Sequence, residues 1–144
     1  MIENFKFVTD VEVRISDINY GGHLGNDRFL SIFQEARLRY LKQFGYSELS
    51  ISENISLIMR QAHVDFKAEV FWGDQLSAYV RISWIKRVKF MFEYLIVSKS
   101  EPAKTVSIGY TEMVGFDYSE KKVKKLPSEF VQDIKRYEKN VVIF

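Results

Sequence analysis

The sequence predicts an α+β fold in which an antiparallel sheet curls around one long helix. Three features of the chain support this prediction. A single long segment, from about residue 27 to 44, has apolar residues at helical spacing. From residue 54 onward the chain is rich in β-branched and aromatic residues. Only short breaks divide this part, and short breaks join antiparallel neighbours, so we expect a meander rather than βαβ units.

Length and composition restrict the class of protein. The chain has 144 residues, 47% of them hydrophobic and 15% aromatic, so residues 1–144 are predicted to form one domain with a sizeable core. There are 21 Lys and Arg against 19 Asp and Glu, and a net charge of +2 does not favour a nucleic-acid partner. The absence of cysteine excludes a thiolate nucleophile and thiolate metal ligands. The start lacks a signal-peptide pattern and no run approaches the roughly 18 apolar residues of a membrane span, so we expect a cytoplasmic protein.

The first half of the chain contains one predicted strand and the long helix. The strand lies within residues 4–15, where apolar and charged side chains alternate through Val11, Glu12, Val13, Arg14 and Ile15. The helix is indicated by the spacing of Leu30, Phe33, Arg37, Leu41 and Phe44. We expect Asn26 or Asp27 to cap its N-terminus and Gly45 to end it. Its apolar face is wide, so we expect other elements to cover most of it.

The second half is predicted to supply the rest of the sheet and a final helix. Four breaks divide the sheet region into four strands, at about 55–71, 75–86, 88–99 and 104–116. The breaks are Trp72-Gly73-Asp74, Lys86-Arg87, Ser100-Glu101-Pro102 and Asp117-Tyr118-Ser119. The first of the four strands is long enough to be two shorter ones. Ser128 is a suitable cap for a short last helix that carries Phe130, Val131, Ile134 and Tyr137.

Polar and glycine residues are concentrated just before the long helix, in the stretch SDINYGGHLGND at positions 16–27. This stretch is either a polar helix start or a site for a polarised carbonyl. Free backbone N–H groups and the positive end of a helix dipole favour a developing oxyanion. Glycines allow the backbone to approach a ligand closely, because no Cβ stands in the way. The combination of three glycines with His23 and Asn26 favours a site.

The pattern resembles the hotdog-fold thioesterase superfamily, in its 4-hydroxybenzoyl-CoA thioesterase and acyl-CoA thioesterase branch. That family begins its helix with D-x-D-x-x-G-H-V-N-N, followed by Y-L and E-A-R. The matching residues here are Asp17, Gly22, His23, Asn26, Phe29-Leu30 and Glu35-Ala36-Arg37. Later landmarks also match, at Gly73-Asp74-Gln75-Leu76, Gly115-Phe116-Asp117 and Leu126-Pro127. The resemblance covers nearly the whole chain and implies a hotdog fold.

The resemblance also implies a function. It implies hydrolysis of an acyl-CoA or acyl-carrier-protein thioester at the N-terminus of the central helix, without a cofactor or metal. It further implies a homodimer, or a dimer of dimers, with the site near the subunit interface. The expected substrate-binding residues are Tyr20, Gly21, Gly22, Leu24, Gly25, Asn26 and Asp27.

One departure from the family concerns the catalytic carboxylate, whose position is occupied by Asn19. An amide is neither a nucleophilic carboxylate nor a general base, although it can orient water, donate to the carbonyl or form an Asx turn. His23 is predicted to act as general acid, general base or carbonyl donor, the alternative being a structural histidine. The candidate bases are Glu35, Asp17 and Asp27, in that order. For Glu35 the alternative is an ion pair with a residue such as Arg37 or Arg39, for Asp17 a bracing role in the loop, and for Asp27 a helix cap.

Cationic residues at strand ends are candidates for binding the phosphates of coenzyme A. The candidates are Arg60, Arg87 and Lys89, together with Lys86. Such residues also occur as a solvated edge that discourages aggregation. His63, alone in a strand pattern, is predicted to be structural.

Two other functions remain open. Hotdog enoyl-CoA hydratases carry D-x-N-P-x-H, which Asp17-Ile18-Asn19 and His23 resemble, but the proline is absent and His23 lies one residue too far along. The third possibility is an acyl-thioester-binding protein without catalysis, which Asn19 supports.

Overall fold

A computed structural model describes residues 2–144. The chain forms seven strands and two α-helices, and short 3₁₀ turns precede β1, follow it and introduce the first helix. The elements are β1 Phe7–Glu12, α1 Phe29–Lys42, β2 Ser56–Phe66, β3 Gln75–Lys86, β4 Lys89–Ser98, β5 Thr105–Asp117, β6 Lys122–Val123, α2 Ser128–Tyr137 and β7 Val142–Ile143. Neither helix of residues 2–144 has the length and apolarity needed to cross a membrane.

The sheet has the strand order β1-β3-β4-β5-β2, and neighbours on this path are antiparallel. The meander prediction is confirmed for β3, β4 and β5 but is wrong for β2, which pairs with β5 at the far edge instead of with β3. The predicted strand over 55–71 is too long, because β2 ends at Phe66. The N–H groups of Lys67 and Ala68 both donate to the Val106 carbonyl, so the ladder stops there and the chain leaves the edge.

The core lies between α1 and the concave face of the sheet, which confirms the predicted α+β architecture. The Phe33 ring stacks on Tyr94 of β4, with centroids 4.3 Å apart and planes inclined by 5°. Tyr40 packs edge-on against Phe92 at 5.5 Å and against Phe7 of β1 at 5.4 Å. The buried face of α1 comprises Phe29, Ile32, Phe33, Ala36, Arg37, Tyr40 and Leu41.

The predicted N-terminal caps are wrong and the predicted C-terminal stop is confirmed. The side chains of Asn26 and Asp27 make no cap, because both residues lie inside a 3₁₀ turn that runs directly into α1. Gly45 has a positive φ of 83°. Its N–H donates to Lys42 O at 2.9 Å, and the next N–H donates to Leu41 O at 3.1 Å, the pair of bonds that closes a helix at glycine. Ser128 is also not a cap, because Pro127 occupies the position before α2 and Ser128 is already helical.

Arg37 is a charged residue on the buried face of α1. Its Nε donates to Glu48 Oε1 at 2.9 Å and its Nη1 donates to the Tyr94 hydroxyl at 3.4 Å. Only 5% of Arg37 is exposed, and a buried charge is tolerated when it is paired and hydrogen-bonded. The pairing ties the middle of α1 to the loop that follows it.

Glu138 joins the C-terminal segment to the core. It is 6% exposed, and its Oε2 accepts hydrogen bonds from the Tyr40 hydroxyl at 2.6 Å and from the Ile82 N–H at 3.2 Å. Burial raises the pKa of Glu138, because removal from water disfavours the charged form. Burial, and then the contact with Glu138, raise the pKa of Tyr40.

This contact predicts that Glu138→Gln increases stability relative to the wild type as the pH rises. Below the ordinary glutamate pKa of about 4.3, the wild-type carboxyl is neutral in both the folded and unfolded chains. As the pH rises through the raised pKa, the unfolded chain has already released its proton and the folded chain loses stability. Glutamine keeps an acceptor oxygen but cannot ionise. Urea unfolding of both proteins between pH 4 and 8 measures the difference, and a pH-independent difference would contradict the assignment.

Candidate active site

The residues before α1 form a tight loop, the entrance loop, at positions 17–25. Asn19 N–H donates to His23 O at 2.9 Å and Gly22 N–H donates to Asn19 O at 3.1 Å. Gly25 N–H donates to Asp17 O at 3.1 Å, which closes the base of the loop. Gly22 has a positive φ of 85°, a conformation that glycine adopts without a Cβ penalty. The glycines therefore build the loop's shape.

The Asn19 side chain supports this loop. Its Oδ1 accepts hydrogen bonds from Gly21 N–H at 2.9 Å and from His23 N–H at 3.4 Å. The first of these is the bond of an Asx turn, the alternative that the sequence left open. Only the oxygen is used in these bonds, so the amide NH₂ group of Asn19 is the part that can donate to a ligand.

The His23 ring lies against the Gly21 backbone. A Cβ at Gly21 would lie 3.3 Å from His23 Nε2 and 3.3 Å from Asn19 Oδ1, so glycine leaves room for both side chains. His23 Nδ1 lies 3.5 Å from Leu24 O, at the limit of a hydrogen bond. The imidazole is half-buried and lines a pocket, where both ring nitrogens are chemically useful.

This pocket, the entrance pocket, lies between the entrance loop and residues 66–70, the wall segment. Its volume is about 480 Å³. A short hydrogen bond of 2.7 Å from Leu24 N–H to Val70 O joins the two sides. Phe29 and Phe66 meet edge-to-face at 5.0 Å and give the pocket an aromatic wall. The lining residues are Asn19, Tyr20, His23, Leu24, Asn26, Phe29, Phe66, Lys67, Ala68, Glu69 and Val70.

The structure brings five of the predicted site residues to this pocket: Asn19, Tyr20, His23, Leu24 and Asn26. The three glycines of the entrance loop shape it but do not line the pocket. Asp17 Oδ2 accepts the Arg14 N–H at 3.0 Å, which braces the start of the loop. Asp27 lies outside the lining, and its side chain is 76% exposed with Oδ2 3.9 Å from Arg28 Nε.

Glu35 lies in a different groove. Its two carboxylate oxygens pair with Arg39 at 2.8 Å and with Arg14 at 3.3 Å. Asp10, Glu12 and Lys99 line the same groove, and no residue of the entrance pocket does. The ion pair that the sequence left open for Glu35 is therefore present. As a base, Glu35 stays a prediction that this geometry does not favour.

The predicted phosphate-binding residues lie at the other end of the sheet within one subunit. Phe66 pairs with Ser107, whereas Lys89 pairs with Val114, so about 23 Å of β5 separates the two ends. Lys89 and Arg60 already face the buried Glu112 carboxylate, at 3.2 Å and 3.8 Å. Arg87 forms the β3–β4 turn.

The sequence prediction missed the whole wall segment. All five residues of the wall segment, 66–70, line the entrance pocket. The sequence predicts them only as part of the strand at about 55–71, and no motif marks them. A strand assignment gives the direction of side chains but not the element that they face. The missing information is the Leu24–Val70 contact, which joins residues far apart in the chain.

Electrostatics make this pocket suitable for a developing negative charge. It lies at the N-terminal end of α1, where the helix dipole is positive. No side chain caps the 3₁₀ turn or the helix, so the first N–H groups of this segment are left for solvent or a ligand. Asn26 and His23 add donors, and the positive charge of Lys67 offsets the negative charge of Glu69 in the lining. The arrangement can hold a carbonyl oxygen and stabilise it as an oxyanion.

Comparison with known families matches the chain to the model of the thioesterase-like superfamily over residues 13–134. The matched range includes the entrance loop, α1 and the wall segment. No curated protein sequence matches the chain.

Solved structures with the same fold include enzymes and a coenzyme A complex. A 1,4-dihydroxy-2-naphthoyl-CoA thioesterase from Synechocystis is 25% identical, with a TM-score of 0.80 over 89% of this chain and 94% of that one. A DHNA-CoA thioesterase from Staphylococcus aureus is 20% identical, with a TM-score of 0.79 over 92% and 88%. A hypothetical protein from the same organism, in complex with CoA, is 18% identical, with a TM-score of 0.81 over 94% and 85%. These likenesses confirm the hotdog fold.

Proposed function

Because the chain belongs to the thioesterase-like superfamily, we propose that it hydrolyses an acyl-CoA thioester in the entrance pocket. The observation that carries this proposal is the meeting of His23, Asn19 and Asn26 with the N-terminal end of α1 in one pocket. The family supports thioester chemistry in general. The particular substrate is inferred from the pocket and from its structural neighbours.

In the proposed reaction, the thioester carbonyl oxygen lies at the start of α1. Backbone N–H groups and the Asn26 amide stabilise the oxyanion that forms when water attacks the carbonyl carbon. His23 acts as a general acid or donor on the carbonyl or on the leaving sulfur. The Asn19 NH₂ group positions the water or the carbonyl, and its oxygen holds the entrance loop in shape. The carbon–sulfur bond then breaks to give a carboxylic acid and a free thiol.

The pocket favours coenzyme A as the carrier and an aromatic acyl group. Phe29 and Phe66 form an edge-to-face pair, which suits a flat ring packed beside them. Lys67 lines the same pocket and can meet a phosphate or an acyl-group anion. Among the structural neighbours, one is a 1,4-dihydroxy-2-naphthoyl-CoA thioesterase, another is a DHNA-CoA thioesterase and a third was solved in complex with CoA. A cytoplasmic location remains a prediction from the sequence.

The proposal includes a homodimer. The outer edge of β2 has no partner strand among residues 2–144, and a free 11-residue edge is a template for pairing with another chain. Met59 is 44% exposed and Phe66 is 55% exposed along it. Antiparallel pairing of two such edges places the Arg60 end of one copy beside the Phe66 end of the other. In such a dimer, Arg60 and Lys89 of one copy bind the phosphates of a coenzyme A molecule held in the entrance pocket of the other copy.

Oligomeric state is checked by sedimentation equilibrium at micromolar concentration. We expect a dimer, or a dimer of dimers. We expect Met59→Lys to shift the protein towards the monomer, because it replaces an exposed apolar side chain on the β2 edge by a charged one. A wild-type monomer would contradict the proposed pairing.

The function is tested with a panel of aromatic and fatty acyl-CoA thioesters and detection of the free thiol. We expect thiol release with at least one aromatic acyl-CoA, and faster release with it than with long fatty acyl-CoA. Loss of double-bond absorbance without thiol, with an enoyl-CoA, would indicate a hydratase instead. Saturable binding without either change would indicate a binding protein.

The binding protein is the second candidate because Asn19 replaces the family's carboxylate. Asn19→Asp separates the two candidates by the sign of its effect. If another carboxylate has become the base, the aspartate introduced at position 19 places a second negative charge near it. Like charges raise the pKa of the base and disturb the site, so kcat should fall severalfold. If the protein has simply lost its base, the same change should raise thiol release from near zero. We expect a fall, and a clear gain would favour the binding protein.

A further inference from the structure

The proposed hydrolysis needs a base to activate water, and Asn19 cannot serve. Among the described residues that line the entrance pocket, Glu69 is the one carboxylate. It lies in the wall segment, directly across from the entrance loop. We propose that Glu69 is the general base of the thioesterase reaction, a role that rests on the proposed function.

The other candidate carboxylates are engaged elsewhere. Asp17 accepts the Arg14 N–H, and Glu35 is held between Arg14 and Arg39. Neither lines the entrance pocket. Glu69 has no ion pair and no hydrogen bond to its side chain within residues 2–144, so its carboxylate is available to water.

The backbone fixes Glu69 in its position. On one side, the N–H groups of Lys67 and Ala68 donate to Val106 O at 2.9 Å and 3.2 Å. On the other side, Val70 O accepts the Leu24 N–H at 2.7 Å. Val70 is 1% exposed and belongs to the core, whereas the neighbouring Glu69 is exposed. The carboxylate is thus carried on an anchored segment beside the loop that bears His23.

The position allows a complete reaction. The Glu69 carboxylate takes a proton from water while the water oxygen bonds to the thioester carbon, and the carbonyl oxygen becomes an oxyanion at the start of α1. When the oxyanion collapses, the carbon–sulfur bond breaks and the electron pair leaves with sulfur. The proton held by Glu69 passes to the thiolate. Water and thioester have then become a carboxylic acid and a thiol, and the carboxylate is restored.

The test compares Glu69→Gln with the wild type on the most rapidly hydrolysed acyl-CoA. We expect kcat to fall by a factor on the order of 10² to 10⁴, the usual contribution of a positioned base, with KM little changed. The fall in wild-type kcat at acidic pH that comes from protonating a carboxylate should disappear. Formate, a small carboxylate, should restore part of the rate to Glu69→Ala. Glu12→Gln, an exposed carboxylate in the Glu35 groove, serves as the matched control and should retain the wild-type rate.

The outcomes distinguish this inference from the function on which it rests. A wild-type protein that releases no thiol from any substrate would overturn the thioesterase proposal and the base with it. A wild-type protein that hydrolyses thioesters while Glu69→Gln does so equally well would overturn Glu69 alone. Loss of rate without rescue by formate and without a change in the pH profile would also overturn it, because a merely structural role gives that result.

Discussion

Replacing His23 by alanine is expected to lower kcat for thiol release by a factor on the order of 10² to 10⁴. The imidazole lines the entrance pocket and sits on the Gly21 backbone, beside the start of α1. Its loss removes a proton donor from the place where charge develops. The fold should survive, because the ring makes only a marginal contact with Leu24 O and does not belong to the core. Steady-state kinetics with free-thiol detection measures the effect.

The chain offers a matched control, because it has only two histidines. His63 lies on β2, stacks on Tyr110 at 5.1 Å and bonds to Asp65 at 3.0 Å, away from the entrance pocket. His63→Ala should therefore keep most of the activity. A folded His23→Ala protein with an unchanged rate would show that His23 is structural.

Gly109→Ala is expected to lower the free energy of unfolding by about 3 kcal/mol. An added Cβ would lie 2.4 Å from a carbon of the Phe33 ring and 2.4 Å from the backbone oxygen of His63. The ring cannot move freely, since it is stacked on Tyr94, and the oxygen belongs to the neighbouring strand. Either α1 or β2 must shift. For a chain of this size the melting temperature should fall by roughly 10 °C.

Two further variants make this stability test specific. Thr105→Ala changes an exposed residue on the same strand and should leave the melting temperature within a degree or two. Phe33→Leu combined with Gly109→Ala relieves the ring contact but not the carbonyl contact, so it should not restore wild-type stability. A Gly109→Ala protein as stable as the wild type would show that α1 is not packed on β5 in this way.

Most of the fold could be predicted from the sequence because its signals are local. The helical spacing that stops before Gly45 predicts the end of α1 correctly, and the positive φ of Gly45 in the structure confirms it. The position of β2 could not be predicted from local signals. Its alternation is compatible with pairing to either β3 or β5, and the choice depends on how residues 67–74 cross the end of the sheet. The predicted start of α1 is wrong because polar residues before a helix usually cap it. Here the polar residues form a 3₁₀ turn that leads into the helix.

The candidate site was predicted in part, for a related reason. His23, Asn19 and Asn26 carry a family motif, and they do meet in one pocket. Glu35 ranks first among the predicted bases because Asn19 cannot serve as one, but two arginines pair with it in a different groove. Glu69 carries no motif, and it lines the entrance pocket only because the chain folds back on itself. Contacts of this kind are absent from any local pattern.

The hydrogen bond from Leu24 to Val70 spans the entrance pocket and joins its two walls by their backbones. The Leu24 amide proton is protected from solvent only while those walls stay together. Its protection against exchange with deuterium therefore reports the fraction of time that the pocket is open, with no ligand and no substitution needed. His23 directly precedes Leu24 in the chain, and Glu69 directly precedes Val70. When the bond between Leu24 and Val70 breaks, His23 and Glu69 therefore move apart. The protection of the Leu24 amide thus measures the fraction of time that His23 and Glu69 are held together.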